Sequence, residues 1–445
     1  MRRLRFRHVS TSAVLALASS IFGCSFHPPP TDCVGRSLDK LDSCLNEFPV
    51  SDPYAAGRNV VYEVAGKIQV QHGRSCARPS GNNAMVWMHD SAPFPSGLDQ
   101  GTVIFNGWLT GYEQDDHHVR GLGGAIVDVK VVTSSARVAG TAFAPAALLV
   151  APSKTLEWNA AGTLTDNWGH PFDWCYLFTT VFWNSAAIDA SVLAAYPFRA
   201  LLDPAAQGPE HTIAGAFADK RIGNMRALLP RGFGADFTDD DHHVLQADFD
   251  LGMPAPSPDG TGLTWRSKVL LKDNDTSRPY ESLEFFELMA GTGVNMFQPT
   301  VLSHFNPKPP AHWEELPNNF HLQPKDPASS CVTDSIDLVR NDYCVQVPFS
   351  YAVPMLTGWG IENECDDSHV SQIGAYIDHF SYTAHPDLAT ATSGTLCYQV
   401  VTSLSDNSGG RQANVALDTD VTILGLSPAP TLGGILQGGG GGVLK

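Results

Sequence analysis

The chain has 445 residues, and its formal net charge is −18, with 28 Lys and Arg against 46 Asp and Glu. One hydrophobic core rarely serves so long a chain, so roughly three units of about 100 to 150 residues are expected. The acidic balance argues against nucleic acid as a partner, because phosphate binding needs clustered Lys and Arg. The 40 Gly and 31 Pro residues are typical of turn-rich, exported β proteins.

The N-terminus has the layout of an export signal. Four arginines within residues 2–7 precede a short, mostly apolar stretch, Ala13–Ile21, which ends in Ile21-Phe22-Gly23-Cys24. That stretch is shorter than the roughly 20 residues that a membrane span requires. The sequence resembles the lipobox of bacterial lipoproteins over residues 1–24 only. The resemblance implies cleavage before Cys24, diacylation of that cysteine and a lipid anchor in the cell envelope; an ordinary secretory signal is the alternative. In a Gram-negative cell, Ser25 would place the protein at the outer membrane or cell surface.

The cysteines favour the same compartment. Nine cysteines less the lipidated Cys24 leave eight, an even number that is typical of disulfides in an oxidising environment. We predict four pairs: Cys33 with Cys44, Cys76 with Cys175, Cys331 with Cys344, and Cys365 with Cys397. The alternative is a zinc site, although the sequence contains no Cys-x-x-Cys pair.

One pattern occurs three times: Gly, then Trp or Phe, six further residues, then Asp-Asp-x-His-Val. The copies begin at Gly107, Gly232 and Gly358, so their starts lie 125 and 126 residues apart. This spacing indicates a repeated module. We call the Asp-Asp-x-His-Val part of each copy the box.

A second pattern follows each box, with Leu, then Trp or Tyr, then Leu-x-Asp-Asn at fixed spacing. It begins at Leu156, Leu263 and Leu396. In the second copy, apolar residues from Leu263 to Leu271 alternate with polar ones, which predicts a half-buried strand. An apolar stretch follows in each copy, so we predict a β-hairpin there. These stretches are Phe172–Trp183, Tyr280–Met289 and Val415–Leu424.

The predicted fold is all-β, with three tandem repeated modules that resemble β-sandwiches or jelly rolls and with few short helices. Helices are expected at 33–48 and in the Ala-rich stretch Ala186–Leu202. The expected organisation is a signal peptide (1–23), a lipid-anchored tether (24–55), module 1 (56–200), module 2 (201–295), a Pro-rich excursion (296–330), module 3 (331–428) and a disordered Gly-rich tail (429–445).

The box has two interpretations. In the structural one, the histidine is partly buried and its ring is held by a neighbouring carboxylate, since an unpaired buried polar group costs about 1 to 3 kcal/mol. In the functional one, carboxylates and imidazole bind zinc, manganese or iron rather than calcium. We favour the structural interpretation, because a fold contact is needed once per module and a catalytic site is seldom needed three times. The residues in question are Asp115, Asp116 and His118; Asp240, Asp241 and His243; and Asp366, Asp367 and His369.

A second candidate is an aromatic group at a predicted hairpin tip, where Trp168, His170 and Trp174 could stack against a sugar ring. Turn packing is the alternative. The sequence contains no nucleophile elbow, no His-Glu-x-x-His motif and no phosphate-cradling glycine loop. The expected protein is therefore a membrane-anchored lipoprotein that binds a glycan or an envelope protein or braces the envelope, without catalysis or cofactor. The alternative is a metal-dependent envelope hydrolase that uses the box of one module.

Overall fold

The computed structural model describes residues 57–77, 86–112, 119–134, 153–166, 172–202, 211–212, 225–237, 244–253, 255–256, 263–273, 279–299, 303–305, 313–315, 322–324, 339–363, 370–406 and 415–428. These residues form strands, turns and bends and contain no helix. The all-β class predicted from alternation and turn composition is confirmed.

The strands, in chain order, are β1 (Arg58–Val64), β2 (Ile68–Ala77), β3 (Val86–Pro93), β4 (Gln100–Tyr112), β5 (Val119–Ser134), β6 (Ser153–Asp166), β7 (Phe172–Trp183), β8 (Ser191–Leu202), β9 (His211–Thr212), β10 (Met225–Phe237), β11 (Val244–Leu251), β12 (Ala255–Pro256), β13 (Leu263–Thr264), β14 (Arg266–Asp273), β15 (Tyr280–Ala290), β16 (Val294–Phe297), β17 (Ser303–Phe305), β18 (Trp313–Glu315), β19 (Leu322–Pro324), β20 (Val339–Val347), β21 (Tyr351–Asn363), β22 (Val370–His385), β23 (Ser393–Asp406) and β24 (Val415–Leu426).

Three large antiparallel sheets hold most of these strands. The first has the order β1-β2-β7-β4-β22-β23-β20, the second β3-β6-β5-β10-β15-β8, and the third β16-β24-β21-β11-β14-β9. β17 also pairs with β24, while β12–β13 and β18–β19 form two small ladders. The Pro-rich excursion predicted at 296–330 therefore contributes short strands, one of which extends the third sheet.

Each box connects two sheets. β4 lies in the first sheet and β5 in the second, β10 in the second and β11 in the third, and β21 in the third and β22 in the first. The strand after a box pairs with the strand that precedes the box of another repeat, giving the ladders β5–β10, β11–β21 and β22–β4. The repeats are consecutive in sequence, but every large sheet combines strands from more than one of them.

The registers at these three junctions are equivalent. The repeat glycine always lies opposite the residue six positions after a box valine: Gly232 opposite Ala125, Gly358 opposite Asp250, and Gly107 opposite Tyr376. Because side chains alternate between the two faces of a strand, this shared register points the same repeat positions toward the interior in all three junctions.

The predicted hairpins after the second pattern are wrong. β6 pairs with β5 and β3, whereas the apolar strand β7 pairs with β4 and β2 in another sheet. β14 and β15, and β23 and β24, likewise lie in different sheets. The strand after each second pattern pairs with the strand that preceded the box, so each repeat contributes one strand pair to each of two sheets. Sequence alternation gives the strands but cannot distinguish these two pairings.

The predicted helix over Ala186–Leu202 is also wrong, because its larger part is strand β8. β8 pairs with β15 from Ser191 opposite Ala290 to Leu202 opposite Tyr280. Helix propensity differs by less than about 1 kcal/mol per residue between common residue types, and this long ladder outweighs it. The predicted helix at 33–48, the tether and the Gly-rich tail lie outside the described residues.

Candidate functional site

The three repeat aromatics meet where the three large sheets pack against one another. The ring centroids of Trp108 and Trp359 lie 5.5 Å apart, those of Trp108 and Phe233 5.3 Å apart, and those of Phe233 and Trp359 4.8 Å apart. These separations lie within the range of favourable aromatic pairs. All three side chains are buried, with 3% exposure or less. We call this group the aromatic triad. It shows why the sequence repeats an aromatic residue after glycine: each sheet supplies one ring to a shared core.

The glycine before two of the triad residues allows the paired strand of the same sheet to come very close at this point. Gly107 and Gly232 have positive φ angles of 122° and 139°, which other residues rarely adopt. A Cβ atom on Gly107 would lie 2.3 Å from the carbonyl oxygen of Ala375, and one on Gly232 would lie 2.1 Å from that of Gly124. The register shifts at this point in β4, β10 and β21 alike, as a β-bulge does. The aromatic residue beside each register shift packs in the triad.

The residue before each glycine is polar and buried: Asn106, Arg231 or Thr357. Asn106 donates through Nδ2 to the backbone oxygen of Pro354 at 3.2 Å and accepts from the backbone N–H of Leu356 at 3.3 Å. It therefore binds the backbone of β21, which belongs to another repeat. Thr357 pairs with the hydroxyl of Thr422 at 2.9 Å.

Arg231 forms a buried ion pair with Glu287. It also donates to the hydroxyl of Thr102 at 2.9 Å, and that hydroxyl donates to Glu287 at 3.1 Å. The pair connects the second sheet, which holds Arg231 and Glu287, to the first, which holds Thr102. The contacts of Asn106 and Arg231 resemble the triad in one respect, because they join different sheets, whereas Thr357 and Thr422 belong to the same sheet.

His72 extends the same polar layer. Its Nε2 lies 3.1 and 3.0 Å from the backbone oxygens of Ile377 and Asp378, so this nitrogen carries the proton and donates. Nδ1 then accepts from the hydroxyl of Thr179 at 2.9 Å, and Thr179 accepts from Asn106 at 2.6 Å. Complete burial lowers the pKa of His72 to about 4, although its backbone hydrogen bonds partly offset this effect. The ring is therefore neutral at physiological pH and acts as a structural bridge.

The strand ends that flank the boxes lie at equivalent places. Val119, Val244 and Val370 pair with Asp166, Asp273 and Asp406, the Asp of the second pattern in their own repeat. The last residues before each box lie close to the first residues after another box, as shown by the pairs Asp236–Gly121, Glu362–Gln246 and Gly111–Gln372. The flanks of the three boxes therefore approach one another in pairs.

The Asp and His residues of the boxes lie in the ranges 113–118, 238–243 and 364–369, which are outside the described residues, whereas the box valines are described. The metal-binding and structural interpretations of the nine predicted Asp and His residues both stay predictions. Within the described part of the chain, no group of three or more His, Cys, Asp or Glu side chains is arranged to hold a metal ion.

The predicted sugar-stacking role of Trp174 is wrong. Trp174 has no exposed surface and stacks on Tyr176, with ring centroids 5.7 Å apart. It lies in β7 rather than at a hairpin tip, because the predicted hairpin does not form. Trp174 therefore belongs to the core, where it cannot receive a ligand. Trp168 and His170 lie outside the described residues.

The structure contains the predicted disulfide Cys76–Cys175, whose residues lie directly opposite each other in β2 and β7. A second disulfide joins Cys344 to Cys397 across β20 and β23. The predicted pairs Cys331–Cys344 and Cys365–Cys397 are therefore wrong. Strand register placed Cys344 opposite Cys397, and sequence spacing does not reveal that register. Cys24, Cys33, Cys44, Cys331 and Cys365 lie outside the described residues.

Sequence reasoning missed an exposed polar and aromatic group on β3 and its neighbours. Trp87 is 56% exposed, and it is accompanied by a hydrogen-bonded series of His89, Asn159 and Asp128. A signal was available: Trp87 and His89 alternate with Val86 and Met88, so a strand there places both on one face.

No helix in the described part of the chain is long and apolar enough to cross a membrane. Compared with known proteins, the chain matches no family model, no curated protein and no solved structure.

Proposed function

We propose that this protein is a lipid-anchored protein of the cell envelope whose three-sheet body binds a glycan or a protein without catalysis. The observation that carries the proposal is the aromatic triad. The aromatic residue that follows the repeat glycine in all three repeats is buried in the interior and packs the three sheets together. The buried residues before the repeat glycines are used in the same way. The Gly-aromatic part of the repeat is thus accounted for by folding, and the proposal places ligand binding at surface features outside that part.

The two disulfides support an oxidising location. Attachment through Cys24 is the part of the proposal that a direct experiment can test. The full-length protein and its Cys24→Ser variant should be compared in cells for incorporation of labelled palmitate and for sedimentation with membranes. Cys33→Ser is the matched control, because this cysteine lies outside the lipobox.

Label and membrane association should be lost in Cys24→Ser and kept in Cys33→Ser. Equal labelling of the two variants, or no labelling of the wild type, would contradict lipid anchoring. Soluble, unlabelled protein outside the membrane fraction would instead support an ordinary secretory signal.

A second candidate function is metal-dependent hydrolysis at the boxes. The pairwise approach of the box flanks favours it, because it brings together chain segments that lead into carboxylate and imidazole residues. Elemental analysis of the purified full-length protein tests this function. A transition metal that remains after dialysis and is lost in a combined His118→Ala, His243→Ala and His369→Ala variant would favour the hydrolase over the binding protein.

A further inference from the structure

Trp87 is the most exposed of the large hydrophobic residues in the described part of the chain, ahead of Val60 at 55% and Val131 at 47%. It lies on β3, which forms one edge of the second sheet. Transferring an indole out of water is strongly favourable, and cores use tryptophan for this reason; here Trp108, Trp158, Trp174, Trp183 and Trp265 are all fully buried. Trp87 differs from these residues in keeping its indole in water, where the large apolar ring face can contact a ligand.

The residues beside Trp87 have small or polar side chains. Ala161 of β6 lies directly opposite Trp87, so the cross-strand partner of the indole is a small side chain. His89 lies two residues further along β3 and shares the face of Trp87, with the two Cα atoms about 7 Å apart. Asn159 lies opposite His89. The indole of Trp87 therefore has two hydrogen-bonding side chains, those of His89 and Asn159, about two residues away along the strands.

These polar groups are held in position. The Nδ1 of His89 lies 3.1 Å from Oδ1 of Asn159, and Nδ2 of Asn159 donates to Oδ2 of Asp128 at 3.2 Å. Asp128 has a positive φ of 53° at a register shift in β5. Backbone of this kind is uncommon outside glycine and is often found near functional sites. The bulge directs the carboxylate of Asp128 toward the amide.

We propose that Trp87, His89, Asn159 and Asp128 form a binding site for a pyranose ring of a neutral polysaccharide. The apolar face of the sugar lies on the indole, and its hydroxyl groups exchange hydrogen bonds with the amide of Asn159 and the carboxylate of Asp128. This site specifies the ligand class within the proposed binding function and rests on it. Unlike Trp174 of the predicted sugar-stacking group, Trp87 is exposed.

Charge and size both select this ligand. The chain carries a net charge of −18, and Asp128 adds a carboxylate at the site, so a polyanionic ligand is repelled. A protein partner requires about 800 Å² of complementary surface on each side, with an apolar centre. One indole beside Ala161 and three polar side chains supplies the area of one sugar ring rather than that of a protein interface.

The test is depletion of the full-length protein, kept in detergent, by insoluble neutral polysaccharides: cellulose, chitin and cross-linked dextran. Beads carrying dextran sulfate provide the polyanionic comparison. The variants are Trp87→Ala, Trp87→Phe and Asn159→Ala. Val131→Ala is the matched control, because it removes an exposed apolar side chain from the same sheet. Thermal unfolding of each variant verifies that it is folded.

The wild type should bind at least one neutral polysaccharide. Trp87→Ala should raise the Kd for that polysaccharide at least tenfold relative to the wild type. Trp87→Phe should raise this Kd by a smaller factor, and Val131→Ala should change it by less than a factor of two. If the wild type binds a glycan and Trp87→Ala binds equally well, this site is wrong while the binding function stands. If the wild type binds none of the three neutral polysaccharides, the proposed site is wrong. Binding to dextran sulfate alone would also overturn it. Self-association that depends on Trp87 would assign the indole to a protein contact and equally overturn the proposal.

Discussion

The indole rings of Trp108 and Trp359 pack edge to face with centroids 5.5 Å apart, although one belongs to the first repeat and the other to the third. Phe233 of the second repeat completes the contact. The first and last repeats are therefore direct neighbours in space. The β22–β4 ladder joins the same two repeats through backbone hydrogen bonds. The interior is thus closed by contacts between distant parts of the chain.

Removal of one triad ring should destabilise the whole protein. We expect Trp108→Ala to lower the free energy of unfolding by about 3 to 5 kcal/mol, because the large cavity borders all three sheets. Urea denaturation followed by circular dichroism measures the change. Trp87→Ala is the control and should change stability by less than about 0.5 kcal/mol, since that indole is exposed. Similar losses in the two variants would argue against the triad as the centre of the core.

The repeat glycine should tolerate no side chain. In Gly232→Ala the new Cβ would lie 2.1 Å from the backbone oxygen of Gly124 and 2.3 Å from the Cα of Ala125. We expect a loss of more than about 3 kcal/mol or failure to fold, because backbone atoms of β5 cannot move without breaking the β5–β10 ladder. Gly234→Ala is a control on the same strand, where the nearest atom would be 3.9 Å away. A stable Gly232→Ala protein would contradict the close approach.

Glu284 should make stability decrease as the pH rises. It lies opposite Phe233 in the β10–β15 ladder, and burial raises the pKa of its carboxyl to about 7, an effect that the nearby Ser267 side chain partly offsets. Neither carboxyl oxygen has a hydrogen-bond partner of ordinary geometry among the described residues. The folded-state pKa lies above the unfolded value of 4.5, so the neutral form favours folding. This contribution is complete below pH 4.5 and is lost as the pH rises toward 7.

Glu284→Gln should remove this dependence. Relative to the wild type, the variant should gain on the order of 3 kcal/mol in unfolding free energy between pH 4.5 and 7. Denaturation series at several pH values measure the difference. Glu157→Gln, at a more exposed carboxylate paired with Lys130, is the control. A difference between Glu284→Gln and wild type that does not vary with pH would contradict the raised pKa.

His72 should make the stability of the protein decrease as the pH falls, which is the opposite of the pH dependence expected from Glu284. Burial lowers its pKa to about 4, below the unfolded value of 6.5, so the neutral ring favours folding. The contribution is complete above pH 6.5 and is lost as the pH falls toward 4. The stability advantage of wild type over His72→Gln should therefore shrink by on the order of 3 kcal/mol across that window. His379→Gln, at an exposed ring, is the matched control. An advantage that stays constant with pH would show that the His72 ring does not titrate as expected.

The disulfide Cys344–Cys397 can be tested by its effect on thiol content. Cys344→Ser should release the thiol of Cys397 for alkylation in the folded or denatured protein, whereas Cys365→Ser should leave Cys397 bonded. Peptide mapping by mass spectrometry without reduction identifies the partner. Detection of a Cys365–Cys397 peptide in the wild type would contradict the strand register of β20 and β23.

The sequence by itself determined the secondary structure class and the positions of the repeated elements. Alternation predicted strands such as β14, and the spacing of the Gly-aromatic pairs predicted the repeat. Local chemistry is enough for this, because a strand's period of two and the backbone freedom of glycine are properties of the segment itself. The pairing Cys76–Cys175 was also predicted correctly.

Only the tertiary structure decided which strands are partners. The apolar strand β7 pairs with β4 instead of β6, Cys397 lies opposite Cys344 instead of bonding to Cys365, and Trp174 is buried while Trp87 is exposed. Each outcome depends on register between segments that are far apart in the chain. The hydrophobic pattern fixes the two faces of a strand, but several partners can bury the same face equally well. The choice among them follows from simultaneous packing of all three sheets around Trp108, Phe233 and Trp359.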